Sequence, residues 1–174
     1  MTTLKQAAFF DRDGVINIDR GYVGNPDQFD LMEGVGRAIR LCRDAGYLVF
    51  VVTNQAGVAH GYFDEDAVRR LHLHMRERLA AEGAIVDDVR YCPHHPDAKR
   101  ADYRKLCSWR KPGAGMILDL AKFWPVDLAR SFLVGDKESD LEAASAVHMQ
   151  GFLYSDGPMD RFVGDVIAHM NELA

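Results

Sequence analysis

The stretch Ala8-Phe9-Phe10-Asp11-Arg12-Asp13-Gly14-Val15 constrains this chain more than any other. An apolar run leads straight into two acids spaced one apart, and a glycine follows. The run reads as a short strand buried on both faces, the pattern of a parallel sheet covered by helices. Its acids then stand at the carboxyl end, where open α/β sheets bind their ligands. Side chains two apart on an extended chain share a face, so Asp11 and Asp13 reach into one small space. Two carboxylates that close repel unless a cation or a shared proton relieves them. Gly14 allows the backbone to turn away sharply. A divalent metal facing an oxygen-rich ligand accounts for the pattern. The competing reading is a plain polar turn, since Asp and Gly both favour turns.

The same signature returns along the chain. Leu48 to Val52 is a second apolar run, ending in Thr53-Asn54-Gln55-Ala56-Gly57, whose hydroxyl and loop amides suit a phosphoryl oxygen. Val86 to Tyr91 is a third run. Ser131 to Val134 is a fourth and enters Gly135-Asp136-Lys137-Glu138-Ser139-Asp140, and Met149 to Tyr154 is a fifth. Helical periodicities lie between them. Val35, Ala38, Ile39, Leu41, Cys42 and Ala45 form one, closed by Gly46, with Cys42 a core position. Asp64 caps another, with Val68, Leu71, Met75 and Leu79 on one stripe and Gly83 at its close. His72 and His74 are two apart and do not share a helix face, so both are expected on its surface. Met116, Ile117, Leu120 and Ala121 mark a further helix, broken near Pro125. Leu141, Ala143, Ala144 and Val147 mark another, and Asp160 to Leu173 reads as a terminal amphipathic helix. Strands alternating with helices imply a Rossmann-like three-layer α/β sandwich with a mainly parallel sheet of five or more strands. No second composition zone marks a cap, so residues 1–174 are expected to form one domain, large enough for a full core.

Composition narrows the classes. No apolar run reaches membrane-spanning length, and Met1 to Gln6 lacks the apolar segment of a secretory signal, so a cytoplasmic protein is expected. A net charge of −5 argues against general nucleic-acid binding but not against a small anion held by local basic residues. Cys42, Cys92 and Cys107 are too few for a disulfide scaffold. The loop from Cys92-Pro93-His94-His95-Pro96 to Cys107-Ser108-Trp109 carries Cys-x-His and a second Cys. Thiolates and imidazole favour zinc, with Cys92, His94 and Cys107 as donors, and a loop free of metal is the alternative. Asp19-Arg20-Gly21-Tyr22 lies just past the acidic pair, as a loop folded over a ligand or as plain surface.

Asp11/Asp13, Thr53, Lys111 and Asp136 thus gather at strand ends. Asp-x-Asp-Gly-Val at 11–15, Thr53, Lys111 and Gly-Asp-Lys with Ser-Asp behind it at 135–140 resemble the four motifs of the haloacid dehalogenase superfamily of phosphohydrolases. The resemblance spans nearly the whole chain. Asp11 to Asn17, Gly21-Tyr22-Val23, Thr53 to Gly57, Cys92 to Pro96 and Arg110-Lys111-Pro112 further resemble the D-glycero-D-manno-heptose 1,7-bisphosphate 7-phosphatases, kin of the histidinol-phosphate phosphatases. A phosphoreceiver domain also uses Asp, Thr and Lys, but it has no need of an acid at position 13.

The resemblance implies roles. Asp11 would be the nucleophile, forming an aspartyl phosphate, and Asp13 the acid and base. Mg²⁺ would be held by Asp11, Asp13 and Asp136, while Thr53 and Lys111 hold phosphoryl oxygens. Asp19, Arg20, Gly21 and Tyr22, together with Asn54, Gln55 and Ala56, would contact the sugar or its phosphate. Arg110 would grip a second phosphate, and Lys137 would add positive charge, oriented by Asp140. Members of this family carry Cys-x-His and Cys-x-Cys as zinc ligands in the loop at 92–109, and here the last of these positions is Trp109. The fourth ligand is then missing, with His95 a substitute to consider. Small members are expected to act as monomers on a phosphorylated sugar, with no nucleic-acid or membrane partner.

Overall fold

Strand β1, Ala7–Phe10, is buried along its whole length, as its apolar run requires. It is the central strand of the computed structural model, which describes residues 3–173; Met1, Thr2 and Ala174, the ends of the expected domain, lie outside the described residues. The other strands are β2 (Leu48–Asn54), β3 (Asp88–Cys92), β4 (Phe132–Gly135) and β5 (Gln150–Leu153). All pairs are parallel, in the order β3-β2-β1-β4-β5. The chain moves outward from β1 through β2 to β3, then returns to the other side of β1. That reversal sets the ligand crevice at the carboxyl ends of β1 and β4.

Alternation along β1 divides the core. Ala8 and Phe10 join one cluster with α1 (Val35–Asp44), α3 (Glu65–Ala81) and α6 (Met159–Glu172). Ala7 and Phe9 join the other with α4 (Gly115–Phe123) and α5 (Glu138–Ser145). The three-layer α/β sandwich read from the sequence is therefore present. A strand buried on both faces needs apolar side chains on both, which is why its period-2 signal is lost in a continuous apolar run.

Element ends differ from expectation. β3 starts at Asp88 rather than Val86 and reaches Cys92, and β5 is confined to Gln150–Leu153. The short helix α2, Gly57–His60, was not expected; Ala59 and Val58 within it are buried. The placement of His72 on a helix surface is wrong. His72 is buried, only 7% exposed, because it lies four residues after Val68 and three before Met75 on the same buried stripe. His74 is half-buried and packs edge-on against Phe29.

Phe9 is fully buried and its ring centroid lies 5.2 Å from that of Phe50 on β2. Phe9→Ala is expected to cost about 3–5 kcal/mol, read as a fall in the urea midpoint at unchanged slope. A smaller loss, below about 1 kcal/mol, would mean that the sheet centre collapses around the cavity.

Candidate active site

Lys111 organises the crevice. Its ammonium is 4% exposed and donates to Asp11 Oδ1 at 2.8 Å and to the Val52 carbonyl at 2.8 Å, and it pairs with Asp140 Oδ1 at 2.6 Å. Two hydrogen bonds and one further close ion pair surround the amine. Burial alone would lower its pKa, but the Asp11 and Asp140 carboxylates hold it above the usual lysine value. The backbone of Lys111 is fixed as firmly. The Asn54 side-chain amide donates to the Lys111 carbonyl at 3.0 Å and accepts from its N–H at 2.9 Å. Asn54, expected to meet substrate, spends its amide on this clamp.

Asp11 follows β1 directly. Both of its hydrogen bonds, from Lys111 and from the Arg12 N–H at 2.8 Å, fall on Oδ1. Burial pushes its carboxyl up to about 7, with Lys111 opposing and Asp140 adding to the rise. Asp13 lines the same cavity, although β1 ends at Phe10 and the two acids lie beyond the strand. Burial would raise its pKa, yet the Arg12 guanidinium and the amides of Asn17 and Gln55 outweigh it and hold the carboxyl below its ordinary value. Oδ1 accepts from Arg12 at 3.0 Å and from Asn17 at 3.0 Å; Oδ2 accepts from Gln55 at 2.9 Å. The same Gln55 nitrogen donates to Thr53 Oγ1 at 2.9 Å. Gln55 therefore braces two other residues of the site, and Thr53, 1% exposed, lies beneath the cavity rather than in its lining.

Carboxylate oxygens of Asp11, Asp136 and Asp140 lie within 4.8 Å of one another. One of them, Asp136 Oδ1, is buried without a hydrogen-bond partner. An orphaned carboxylate oxygen beside two further acids fits a hard divalent cation, which takes oxygen ligands. Gly14 makes the approach possible. Its φ is +84°, and a Cβ there would stand 2.3 Å from Asp136 Oδ2. Asp140 also accepts from the Lys137 N–H at 3.1 Å. The carboxylate expected to orient the Lys137 ammonium thus serves its backbone and the Lys111 ammonium instead. The Lys137 ammonium stands out in solvent, 3.8 Å from Asp19.

The acids open into a cavity of about 480 Å³. Asp19, Gly21, Tyr22, Asn54, Gln55, Ala56, Arg110 and Lys137 line it, as does His95, which sequence reasoning considered only as a metal ligand. His95 lies beside His60 with the rings tilted and 5.0 Å between centroids, and its Nδ1 accepts from the Asp97 N–H. Arg20 is not brought in; its guanidinium pairs with Asp30 at 2.6 Å on the surface. The residues that reasoning missed are Arg12 and His72. Arg12 is fully buried and meets His72 Nε2 at 3.1 Å. Burial takes the His72 imidazole down to about 3, with Arg12 acting in the same direction. A buried arginine beside a catalytic-type acid leaves no periodic trace in sequence.

Cys92, His94 and Cys107 come together, with ligand atoms within 4.8 Å and Cys92 Sγ 3.8 Å from His94 Nδ1. Burial raises the Cys92 thiol to about 12, a position that a bound metal would reverse. His95 does not join the three, since it faces the other cavity. Trp109 packs against the second core cluster and lines the pocket beside the three donors. Three donors with no fourth among the described residues leave the set one short of a closed zinc site.

A HAD-hydrolase-like family model matches residues 108–166. The chain is 51% identical over 170 residues to the D-glycero-beta-D-manno-heptose-1,7-bisphosphate 7-phosphatase of Rhodopseudomonas palustris, covering 98% of this chain and 94% of that protein. Against the protein of the same name from Escherichia coli it is 41% identical, covering 82% of this chain and 75% of that one. Among solved structures, a HAD-like phosphatase from Mesorhizobium loti matches with a TM-score of 0.88 at 33% identity, over 99% of this chain and 89% of that one. The D,D-heptose 1,7-bisphosphate phosphatase of B. bronchiseptica, complexed with magnesium and phosphate, matches at 0.80 and 30% identity, over 94% and 99%.

The raised Asp11 pKa sets a pH test. With the carboxyl near 7 when folded and at 3.8 otherwise, its contribution to stability is present below about pH 4 and is lost as pH rises through about 7. A divalent cation favours the ionised form and removes that loss. Magnesium added to chelator-stripped protein is expected to raise the melting temperature more at pH 8 than at pH 5. Equal gains at both pH values would place the ion elsewhere.

Proposed function

We infer the reaction from one premise: the chain belongs to the D-glycero-beta-D-manno-heptose-1,7-bisphosphate 7-phosphatase family of haloacid dehalogenase-like hydrolases. It is a phosphatase, and the substrate we assign it is a D-glycero-D-manno-heptose 1,7-bisphosphate, from which it removes the C7 phosphate on the way to nucleotide-activated heptose. One observation carries the reading: Asp11 and Asp13 face a single cavity with Lys111 at its base and Arg110 and Lys137 among its walls. Carboxylates alone would repel a phosphate; here Asp11, Asp13, Asp19 and Asp140 share the cavity with Arg110, Lys111 and Lys137, and among the described residues Arg110 has no carboxylate ion-paired to it.

Asp11 Oδ2, the oxygen that neither Lys111 nor the Arg12 N–H engages, attacks phosphorus in line with the C7 oxygen. The phosphorus–oxygen bond to C7 breaks and an aspartyl phosphate remains. Asp13 gives a proton to the leaving alkoxide, then takes one from the water that hydrolyses the intermediate. One group serves both steps because alcohol and water occupy the same side of phosphorus. Lys111 contributes fixed positive charge beside the attacking carboxylate, and Thr53 is tied through Gln55 to Asp13. Asp11, the Asp13 backbone carbonyl and Asp136 would hold Mg²⁺, which when bound neutralises charge between the nucleophile and the phosphate. Arg110 suits the second phosphate, since its planar fork matches phosphate oxygens.

Cys92, His94 and Cys107 would hold Zn²⁺ as a clamp on the loop that carries Arg110 and Lys111, with Trp109 packing where the family has a fourth ligand. We assign the whole chain to one cytoplasmic, monomeric domain without nucleic-acid or membrane partners. No helix among the described residues is long and apolar enough to cross a membrane.

The test is phosphate release with magnesium from both C1 anomers of the heptose bisphosphate and from histidinol phosphate. Turnover of one heptose bisphosphate is expected to exceed that of histidinol phosphate by on the order of a hundredfold in kcat/KM. Asp11→Asn is expected to show only background release. A preference for histidinol phosphate would overturn the substrate assignment while leaving the phosphatase chemistry intact. For the loop, metal analysis should find zinc in the purified chain and less in Cys107→Ser; equal metal in both would remove Cys107 from the ligand set.

A further inference from the structure

We propose that His72 is a positioning residue for proton transfer: through the buried Arg12 it holds Asp13 with Oδ1 anchored and Oδ2 presented to the leaving group. This rests on the reading of Asp13 as proton donor. Arg12 stands in sequence between the two acids, yet its side chain is fully buried and does not line the cavity. It is therefore no substrate ligand. Burying a guanidinium is costly unless its protons find acceptors, and three are provided. The guanidinium donates to the Val23 carbonyl at 2.7 Å and to Asp13 Oδ1 at 3.0 Å, and it meets His72 Nε2 at 3.1 Å.

A guanidinium has donors only, so Nε2 of His72 must accept and the ring proton sits on Nδ1. Its ring packs edge-on against Tyr91, 5.7 Å between centroids. The planar fork is thus fixed at His72 on α3 and at Val23 on the loop after β1. Nη1 is held at His72 and Nη2 at Val23, which fixes the guanidinium plane, and Nη2 at 3.0 Å and Nε at 3.4 Å then both face Asp13 Oδ1. Asp13 Oδ1 consequently sits under a charged donor and the Asn17 amide, while Oδ2 meets only the neutral Gln55 amide. A proton on Oδ1 would have to displace the guanidinium; a proton on Oδ2 displaces an amide. Oδ2 is the transferring oxygen, and removing the His72 acceptor frees the fork to rotate and takes Oδ2 out of line.

Two substrates distinguish this from a merely structural role. A sugar phosphate expels an alkoxide that needs the Asp13 proton, whereas 4-nitrophenyl phosphate expels a phenolate that does not. The value of kcat/KM covers the steps up to leaving-group loss, so it isolates this transfer. His72→Leu is expected to lower kcat/KM for the heptose bisphosphate by about ten- to a hundredfold, and for the aryl ester by less than about threefold. His72→Gln, whose Oε1 replaces the lost acceptor, is expected to recover most of the loss. Equal losses on both substrates, or no recovery with Gln, would overturn the proposal. If His72→Leu does not fold, Arg12→Lys keeps the buried cation without the fork and is expected to give the same split; its absence there overturns the proposal equally. Asp13→Asn serves as reference. If it shows no split, the donor reading fails and this proposal with it; if it does and the His72 and Arg12 variants do not, this proposal alone fails.

Discussion

The ion pair between Lys111 and the acids of β1 and α5 is the constraint on which this active site depends. One ammonium, almost wholly removed from water, holds Asp11 from one element and Asp140 from another against the Val52 carbonyl of a third. Desolvated charges of this kind are stable only when every proton and lone pair has a partner. The sheet topology supplies the partners. Because β1 lies between β2 and β4, their carboxyl ends stand side by side, and three short strands deliver groups from distant parts of the chain to one point. The helical layers hold those strand ends in place and add Asp140 from α5 and His72 from α3.

A second feature runs through the site: its acids are made asymmetric. Asp11 and Asp13 each have one oxygen engaged by cationic or backbone donors and a second oxygen less encumbered. The environments also differ in sign. Burial drives the Asp11 carboxyl up, whereas Arg12 and two amides bring Asp13 down. Two identical side chains two residues apart thereby sit in unlike environments, and at Asp13 the largest opposing influence on burial is Arg12, which does not line the cavity.

Much of this was legible in the sequence. Apolar runs ending in polar residues located β1, β2 and β4, with acids at the ends of the first and last, because a buried parallel strand must be apolar until the residue that leaves it. Spacing in the 92–109 loop gathered Cys92, His94 and Cys107. What escaped depends on long-range pairing. Asn54 and Gln55, expected by resemblance to contact substrate, line the cavity, and the sequence did not show that their amides also bind Lys111, Asp13 and Thr53. Arg12 was given no role of its own and His72 was expected on a helix surface, although each is the other's buried partner across sixty residues. Element ends drifted where buried apolar residues such as Val86, Met149 and Tyr154 pack beside a strand without joining its ladder.

The clamp of Asn54 on both backbone groups of Lys111 behaves as an extra rung of the β-ladder, built from a side chain. It ties the lysine to the end of β2 rather than to the loop that precedes it. Changes in the length or ligands of residues 93–110 can then be absorbed upstream of the rung. Trp109, where the family has a zinc ligand, is one such change, and the ammonium two residues later keeps its three partners. The loop is in effect an interchangeable rim on a fixed chemical floor, and a lineage can reshape what enters the cavity without rebuilding what reacts there.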